Sequence, residues 1–209
     1  MRIAHALCGA ALAVIASYSA AAATTLSGDL TSDNQFVAYL STNDSVLGTQ
    51  ISSGSNWLVD VTFSGAGLTG GVTNYLHVIA QNSGGPDMFI GSFSLSDSGF
   101  HFVNGTQSLV TNVTDWHAAA AVFSDPWSAP SGTPQSFGPN GTGPWGTFSG
   151  MGAAAFIWSN PNNGDTAFFS TAIVSNVAAT PIPAALPLFL SAIGGLGLLA
   201  RRKRRASAV

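Results

Sequence analysis

The central part of this chain lacks positive charge. Residues 24–180 contain no Lys or Arg, whereas all nine acidic residues of the protein lie there and all nine are Asp. This span therefore has a formal charge of −9. Nucleic-acid binding depends on Lys and Arg contacts to phosphate, so the composition excludes that class of protein. Salt bridges to Lys or Arg are excluded too, and stability has to come from apolar burial and backbone hydrogen bonds.

Cysteine is almost absent as well. The one cysteine, Cys8, lies in an N-terminal segment with the features of a secretory signal peptide: Arg2, an apolar core over residues 7–15 and small residues over 20–23. Cys8 is too early in the segment to be a lipoprotein cysteine. We predict a signal peptide over residues 1–23 and an exported domain without disulfide bonds.

The C-terminal end has the features of a membrane segment. Residues 184–200 form an apolar run of 17 residues without a charge, which as a helix would extend roughly 25 Å, enough to span a thin bilayer. A core helix would show a polar face, and this run shows none. Positive residues flank membrane helices on the cytoplasmic side, so we expect a membrane stop there. Its residues are Arg201, Arg202, Lys203, Arg204 and Arg205.

A short proline motif, Pro181-Ile182-Pro183-Ala184, precedes the apolar run. In this order, the motif, the helix and the basic cluster over residues 179–205 resemble the PEP-CTERM sorting signal. The motif lacks glutamate and is similar to the proline-only variants of that family. The resemblance implies an exosortase-type membrane protease as partner, removal of the tail, and release or attachment of the domain at the cell surface. The alternative is a permanent single-span anchor.

Between the two ends, residues 24–178 have the size of one domain and a composition typical of strands and turns. Short apolar or alternating runs predict an all-β fold, an antiparallel β-sandwich or jelly roll. Asn104-Gly105 predicts a hairpin, and the Pro- and Gly-rich residues 124–150 predict a long loop. The predicted strands are residues 34–40, 57–63, 73–80, 88–95, 100–103, 107–111, 153–158 and 166–173.

A series of short motifs follows in a fixed order along residues 25–173. They are Asp33-Asn34 before a strand with Tyr39, Gly54-Ser55-Asn56-Trp57, Gly71 to Ala80, Asn82 to Pro86, Thr111 with Asp115-Trp116, Gly143-Pro144-Trp145-Gly146, Ile157-Trp158 and Ala167 to Thr171. This order resembles the galactose-binding-like jelly rolls of secreted bacterial proteins. The resemblance implies a sandwich whose loops at one end bind sugars. Two positions depart from the family pattern: His117 stands where a basic residue often follows the tryptophan, and Ser170 stands where arginine is common.

Tryptophans are the first candidates for a ligand face, because aromatic faces stack on sugar rings. Trp127 and Trp145 lie in the predicted long loop, and we interpret them as that face. Trp57, Trp116 and Trp158 lie in or beside apolar strand patterns, which predicts structural roles for them.

Calcium is the candidate cofactor, because it prefers hard oxygen ligands and the Asp residues have no countercharge. Asp29, Asp33 and Asp165 lie near the two ends of the domain. If the first and last strands met, these three carboxylates would form a calcium site.

Catalytic motifs are missing from the sequence. There is no Gly-x-Ser-x-Gly elbow and no His-x-x-x-His spacing, and no pair of Asp stands out as a glycosidase dyad. We therefore expect a non-catalytic surface or extracellular-matrix protein that binds exopolysaccharide. The alternative is a secreted, glycoside-directed hydrolase with a permanent membrane anchor.

Overall fold

The computed structural model describes residues 23–160 and 165–176. The predicted signal peptide, apart from its last residue, and the predicted sorting motif, membrane helix and basic cluster lie outside the described residues. No helix within the described ranges is long and apolar enough to cross a membrane. These ranges contain strands β1 (Thr25–Asp33), β2 (Gln35–Ser41), β3 (Thr49–Gly54), β4 (Val61–Gly67), β5 (Asn74–Gln81), β6 (Met88–Leu95), β7 (Phe100–Phe102), β8 (Ser108–Val110), β9 (His117–Ala121), β10 (Gln135–Pro139), β11 (Ala155–Trp158) and β12 (Thr166–Ser175).

The strands form two antiparallel sheets. Sheet I has the order β10-β11-β6-β1-β4, with β8 also paired to β6. Sheet II has the order β3-β2-β5-β12-β7, with β9 also paired to β12. The predicted all-β class and antiparallel pairing are confirmed, and the described residues contain no helix.

The main core lies between the two sheets. Residues alternate along each strand, so Leu76, Val78 and Ala80 of β5 point inward while His77 points to the outer face. Phe89 of sheet I and Phe169 of sheet II meet across the core with ring centroids 4.9 Å apart. This packing of one sheet on the other makes the fold a β-sandwich.

Two of the three tryptophans that the sequence predicts to be structural lie in this main core. Trp116 and Trp158 are fully buried in the main core, which confirms their predicted role. Trp57 is half-buried and packs instead against a second, smaller cluster on the outer face of sheet I.

That smaller cluster is covered by residues 140–154, which we name the strap. Met88 and Ile90 of β6 face outward here and pack against Trp145, Phe148 and Met151 of the strap. The strap therefore gives the outer face of sheet I its own apolar core.

Several local predictions were wrong. The predicted loop over residues 124–150 contains β10, which pairs with β11. The predicted strand over residues 57–63 begins only at Val61, because residues 56–59 form a turn in which the amide of Val59 donates to the carbonyl of Asn56 at 3.1 Å.

The predicted hairpin at Asn104-Gly105 was also wrong, although a turn does form there. Gly105 has a φ of 78° and its amide donates to the carbonyl of Phe102 at 2.8 Å. However, β7 pairs with β12 in sheet II, whereas β8 pairs with β6 in sheet I. The turn therefore links the two layers of the sandwich and does not join paired neighbours.

Candidate ligand-binding cleft

Four polar side chains form a row across the outer face of sheet II. Tyr39 of β2 is the register partner of His77 in β5, and His77 is the partner of Ser170 in β12. Ser170 in turn is the partner of His117 in β9. Since the neighbouring residues in each strand fill the core, these four project outward.

The loop between β2 and β3, residues 42–48, folds over this row. Oδ1 of Asp44 accepts a hydrogen bond from the hydroxyl of Ser170 at 2.5 Å and lies 3.0 Å from Nε2 of His77. Nδ1 of His77 lies 3.1 Å from the carbonyl oxygen of Leu47. The His77 side chain is 0% exposed, whereas that of Asp44 is 33% exposed. The loop thus buries the imidazole and leaves the carboxylate accessible.

Trp127 packs over the same imidazole. Its ring centroid lies 4.3 Å from that of His77 and 5.2 Å from that of Phe168. Its indole N–H donates to the carbonyl of Asp44 at 2.9 Å. Trp127 therefore holds residues 42–48 and 122–134 together on sheet II.

A cleft of about 280 Å³ opens beside this network. Its carboxylates come from two loops, Asp44 from residues 42–48 and Asp115 from residues 111–116. Asp115 is held in place, because Nδ2 of Asn112 donates to its Oδ2 at 2.8 Å and the hydroxyl of Thr171 donates to its carbonyl at 2.8 Å. The complete lining is Asp44, Tyr75, Val103, Thr114, Asp115, His117, Ser170, Thr171 and Ala172.

The network does not have the geometry of a nucleophilic triad. Ser170 donates its hydrogen bond to Asp44 and not to His77, and both ring nitrogens of His77 already face oxygens of Asp44 and Leu47. A serine nucleophile needs a histidine nitrogen free to take its proton. The arrangement therefore favours binding over acyl transfer.

A second cleft of about 420 Å³ lies near the ends of β2, β3 and β4. Its lining includes Leu40, Gly48, Ile51 and Asn74, and contains no titratable side chain. The side-chain amide of Asn74 donates to the carbonyls of Thr69 and Val72, at 3.0 and 3.2 Å. Because this second cleft has no titratable group and the amide of Asn74 already donates to backbone carbonyls, the cleft on sheet II is the better candidate site.

The predicted ligand face of Trp127 and Trp145 is not formed. Trp127 lies on the outer face of sheet II, whereas Trp145 lies in the strap against sheet I. Trp145 is buried, packs on Phe156 at 4.9 Å between ring centroids and donates from its indole N–H to Oδ2 of Asp33 at 3.1 Å. Both tryptophans instead fix loops to the sheets.

The predicted calcium site is not formed either. Asp29 and Asp33 lie on β1 in sheet I, whereas Asp165 precedes β12 in sheet II, and these strands do not pair. The premise that the first and last strands meet was therefore wrong. Across residues 23–160 and 165–176, no group of three or more His, Cys, Asp or Glu is placed to hold a metal ion.

The pKa values of Asp29 and Asp33 are raised. Burial raises the pKa of Asp29 to about 6, and the charge of neighbouring Asp60 acts in the same direction. Burial also raises the pKa of Asp33, aided by Asp87 and opposed by the hydrogen bond from Trp145. Oδ1 of Asp29 is buried and receives no hydrogen bond from the described part of the chain. No motif or spacing in the sequence indicates the Asp29–Asp60 pair.

Comparisons of the chain with protein-family models, with curated proteins and with solved structures find no match.

Proposed function

We propose that this chain is an exported, non-catalytic cell-surface or extracellular-matrix protein that binds saccharide in the cleft on sheet II. The cleft itself carries the proposal. It combines carboxylate, hydroxyl, imidazole and phenol groups with the apolar side chains of Val103 and Ala172. Sugars present hydroxyl groups at the ring edge and C–H groups at the ring face, and such a mixed lining matches both.

Export and sorting are supported by the two ends of the sequence. The predicted signal peptide over residues 1–23 and the Pro-Ile-Pro-Ala motif with its apolar run and basic cluster fit delivery by an exosortase-type pathway. The galactose-binding-like resemblance supports a jelly-roll form of the sandwich and a role at a polysaccharide surface.

Processing of the tail is the first testable consequence. We expect the mature protein isolated from its host to lack Arg201 to Arg205, because the proposed protease cuts near Pro183. Intact-mass spectrometry and C-terminal peptide mapping measure this directly, and a Pro181→Ala, Pro183→Ala double variant is expected to retain the tail. A wild-type protein that keeps all five basic residues would establish the permanent anchor in place of sorting.

Saccharide binding is the second consequence. His117 lines the cleft and is exposed, so His117→Ala removes a hydrogen-bonding group without opening the core. We expect it to weaken binding about tenfold on a glycan array, the effect of losing one hydrogen bond of about 1.4 kcal/mol. The matched control is His101→Ala, because His101 lies on β7 of the same sheet and outside the cleft lining. Equal losses in both variants, or no binding by the wild-type protein, would refute the assigned site.

A glycoside-directed hydrolase is the second candidate function, and the Asp29–Asp60 pair is the observation in its favour. A carboxyl group with a pKa near 6 beside a second carboxylate is what a general acid needs. Against it, Oδ1 of Asp29 is buried, and a Cβ atom added at Gly150 of the strap would lie 3.4 Å from its Oδ2. Hydrolysis of a glycan that Asp29→Asn abolishes would establish this function; glycan binding that survives Asp29→Asn, without hydrolysis by the wild type, supports binding alone.

A further inference from the structure

The cleft on sheet II is lined by two carboxylates and by no Lys or Arg. Asp44 and Asp115 enter it from two different loops, and His117 and Tyr75 are its other titratable lining residues. Residues 24–180 contain no Lys or Arg, so no permanently charged cation of the domain can neutralise the two carboxylates. The buried His77 contacts Asp44 from the sheet side, and the described residues provide no other ion pair.

The carboxylates also keep unused hydrogen-bonding capacity. Within the described residues, Oδ1 of Asp44 and Oδ2 of Asp115 receive the side-chain hydrogen bonds, and the second oxygen of each carboxylate receives none. A carboxylate oxygen beside a cleft is a strong acceptor, and its bond to a charged donor is about twice as strong as a neutral one.

The floor of the cleft is held by hydrogen bonds, and its volume limits the size of a ligand. Ser170 and Thr171 form its floor and are each 2% exposed, with hydroxyl groups fixed on Asp44 and on the carbonyl of Asp115. The volume of about 280 Å³ is just below the ~300–1,000 Å³ of pockets for drug-sized ligands. It therefore suits one sugar ring of a chain and not a long segment.

We propose that the cleft selects a sugar residue carrying a free amino group, such as a de-N-acetylated hexosamine within a polysaccharide. An ammonium group supplies three donors and the missing positive charge, while the ring hydroxyls meet the exposed side chains of Thr114 and His117. An N-acetylated sugar loses the charge. A uronic acid places a third carboxylate beside Asp44 and Asp115 and is repelled. This inference rests on the saccharide-binding function proposed above.

The test measures binding by the full chain, purified in detergent, to three oligosaccharides of equal length: glucosamine, N-acetylglucosamine and glucuronic acid. We expect about tenfold tighter binding of the glucosamine oligomer than of its N-acetylated form, and no binding of the uronic acid oligomer. Asp115→Asn keeps an acceptor for Asn112 but removes the charge, so it should abolish the preference. The matched control Asp165→Asn makes the same exchange at an exposed carboxylate outside the cleft and should retain the preference.

The outcomes separate this inference from the function on which it rests. Equal binding of the amino and N-acetylated oligomers would overturn the amino-sugar inference and leave saccharide binding in place. No binding of any saccharide would overturn both. A preference that survives Asp115→Asn, or that spermidine abolishes at concentrations equal to those of the sugar amine, would show general attraction to an acidic domain and would also overturn the inference. Thermal unfolding of each variant verifies that it is folded.

Discussion

Trp116→Ala is expected to destabilise this domain severely, lowering the free energy of unfolding by about 3–5 kcal/mol. Trp116 is 1% exposed and packs between Phe89 and Phe93, with ring centroids 5.4 and 5.5 Å away. Its indole N–H donates to the carbonyl of Val110 at 3.3 Å, but that carbonyl also accepts a bond from Asn112. The loss is therefore one of packing. It is a large share of the about 5–15 kcal/mol that stabilises a typical domain.

Thermal or denaturant unfolding measures this loss. At about 2–4 °C per kcal/mol for a domain of this size, Tm should fall by roughly 6–20 °C. Trp127→Ala is the matched control, because Trp127 is the same residue type, half-buried on the outer face of sheet II. We expect it to cost less than half as much. Equal losses in the two variants would contradict the placement of Trp116 in the main core.

The strands predictable from sequence are those whose own side chains fill the core. β5, β6 and β12 carry apolar alternation or continuous apolar runs, and they are the central strands of their sheets. The strands missed have little local signal. β9 is His-Ala-Ala-Ala-Ala and β3 is the polar edge strand Thr-Gln-Ile-Ser-Ser-Gly, so each is a strand because of the neighbour with which it pairs.

The hairpin error has a related cause. Asn104-Gly105 specifies a turn through its local backbone, and the turn formed. Which sheet each flanking strand joins depends on partners distant in sequence, β12 for β7 and β6 for β8. Local turn chemistry does not contain that information.

Only some residues of the candidate site could be singled out from the sequence. His117 and Ser170 stood out in the sequence because each replaced an expected basic residue, and the sheet places them side by side as register partners. Asp44 had no sequence signal, since its contact with Ser170 joins residues 126 positions apart. The metal interpretation failed for the same reason, because the positions of Asp29, Asp33 and Asp165 depend on which strands pair.

Acid is expected to stabilise the domain. Lowering the pH from about 7.5 to 4.5 should raise Tm, because burial beside Asp60 raises the pKa of Asp29 to about 6 from 3.8. A raised pKa means that the folded state binds the proton more tightly than the unfolded state. The resulting stabilisation is complete below pH 3.8 and is lost as the pH rises through about 6. The raised pKa of Asp33 acts in the same direction.

Asp97 acts in the opposite direction at lower pH. Hydrogen bonds from Thr24 and the Gly99 amide lower its pKa, so its protonation in strong acid destabilises the domain. The stability contributed by Asp97 is present above its unfolded pKa of 3.8, so Asp97 does not oppose the effect of Asp29 and Asp33 above pH 4.5. A pKa of about 6 for Asp29 in place of 3.8 corresponds to about 3 kcal/mol, and solvent screening at the partly exposed Asp29 reduces this to about 1 kcal/mol. Tm should therefore rise by about 2–4 °C.

Asp29→Asn tests the origin of this effect, since it leaves a neutral side chain of the same shape under the strap at every pH. We expect it to raise Tm at pH 7.5 and to flatten most of the dependence between pH 4.5 and 7.5. Asp165→Asn removes one exposed charge from the same acidic domain and controls for the general repulsion among nine carboxylates. If both variants flatten the profile equally, net charge and not the partly buried Asp29–Asp60 pair produces the acid stabilisation. A wild-type Tm that falls between pH 7.5 and 4.5 would contradict the raised pKa values themselves.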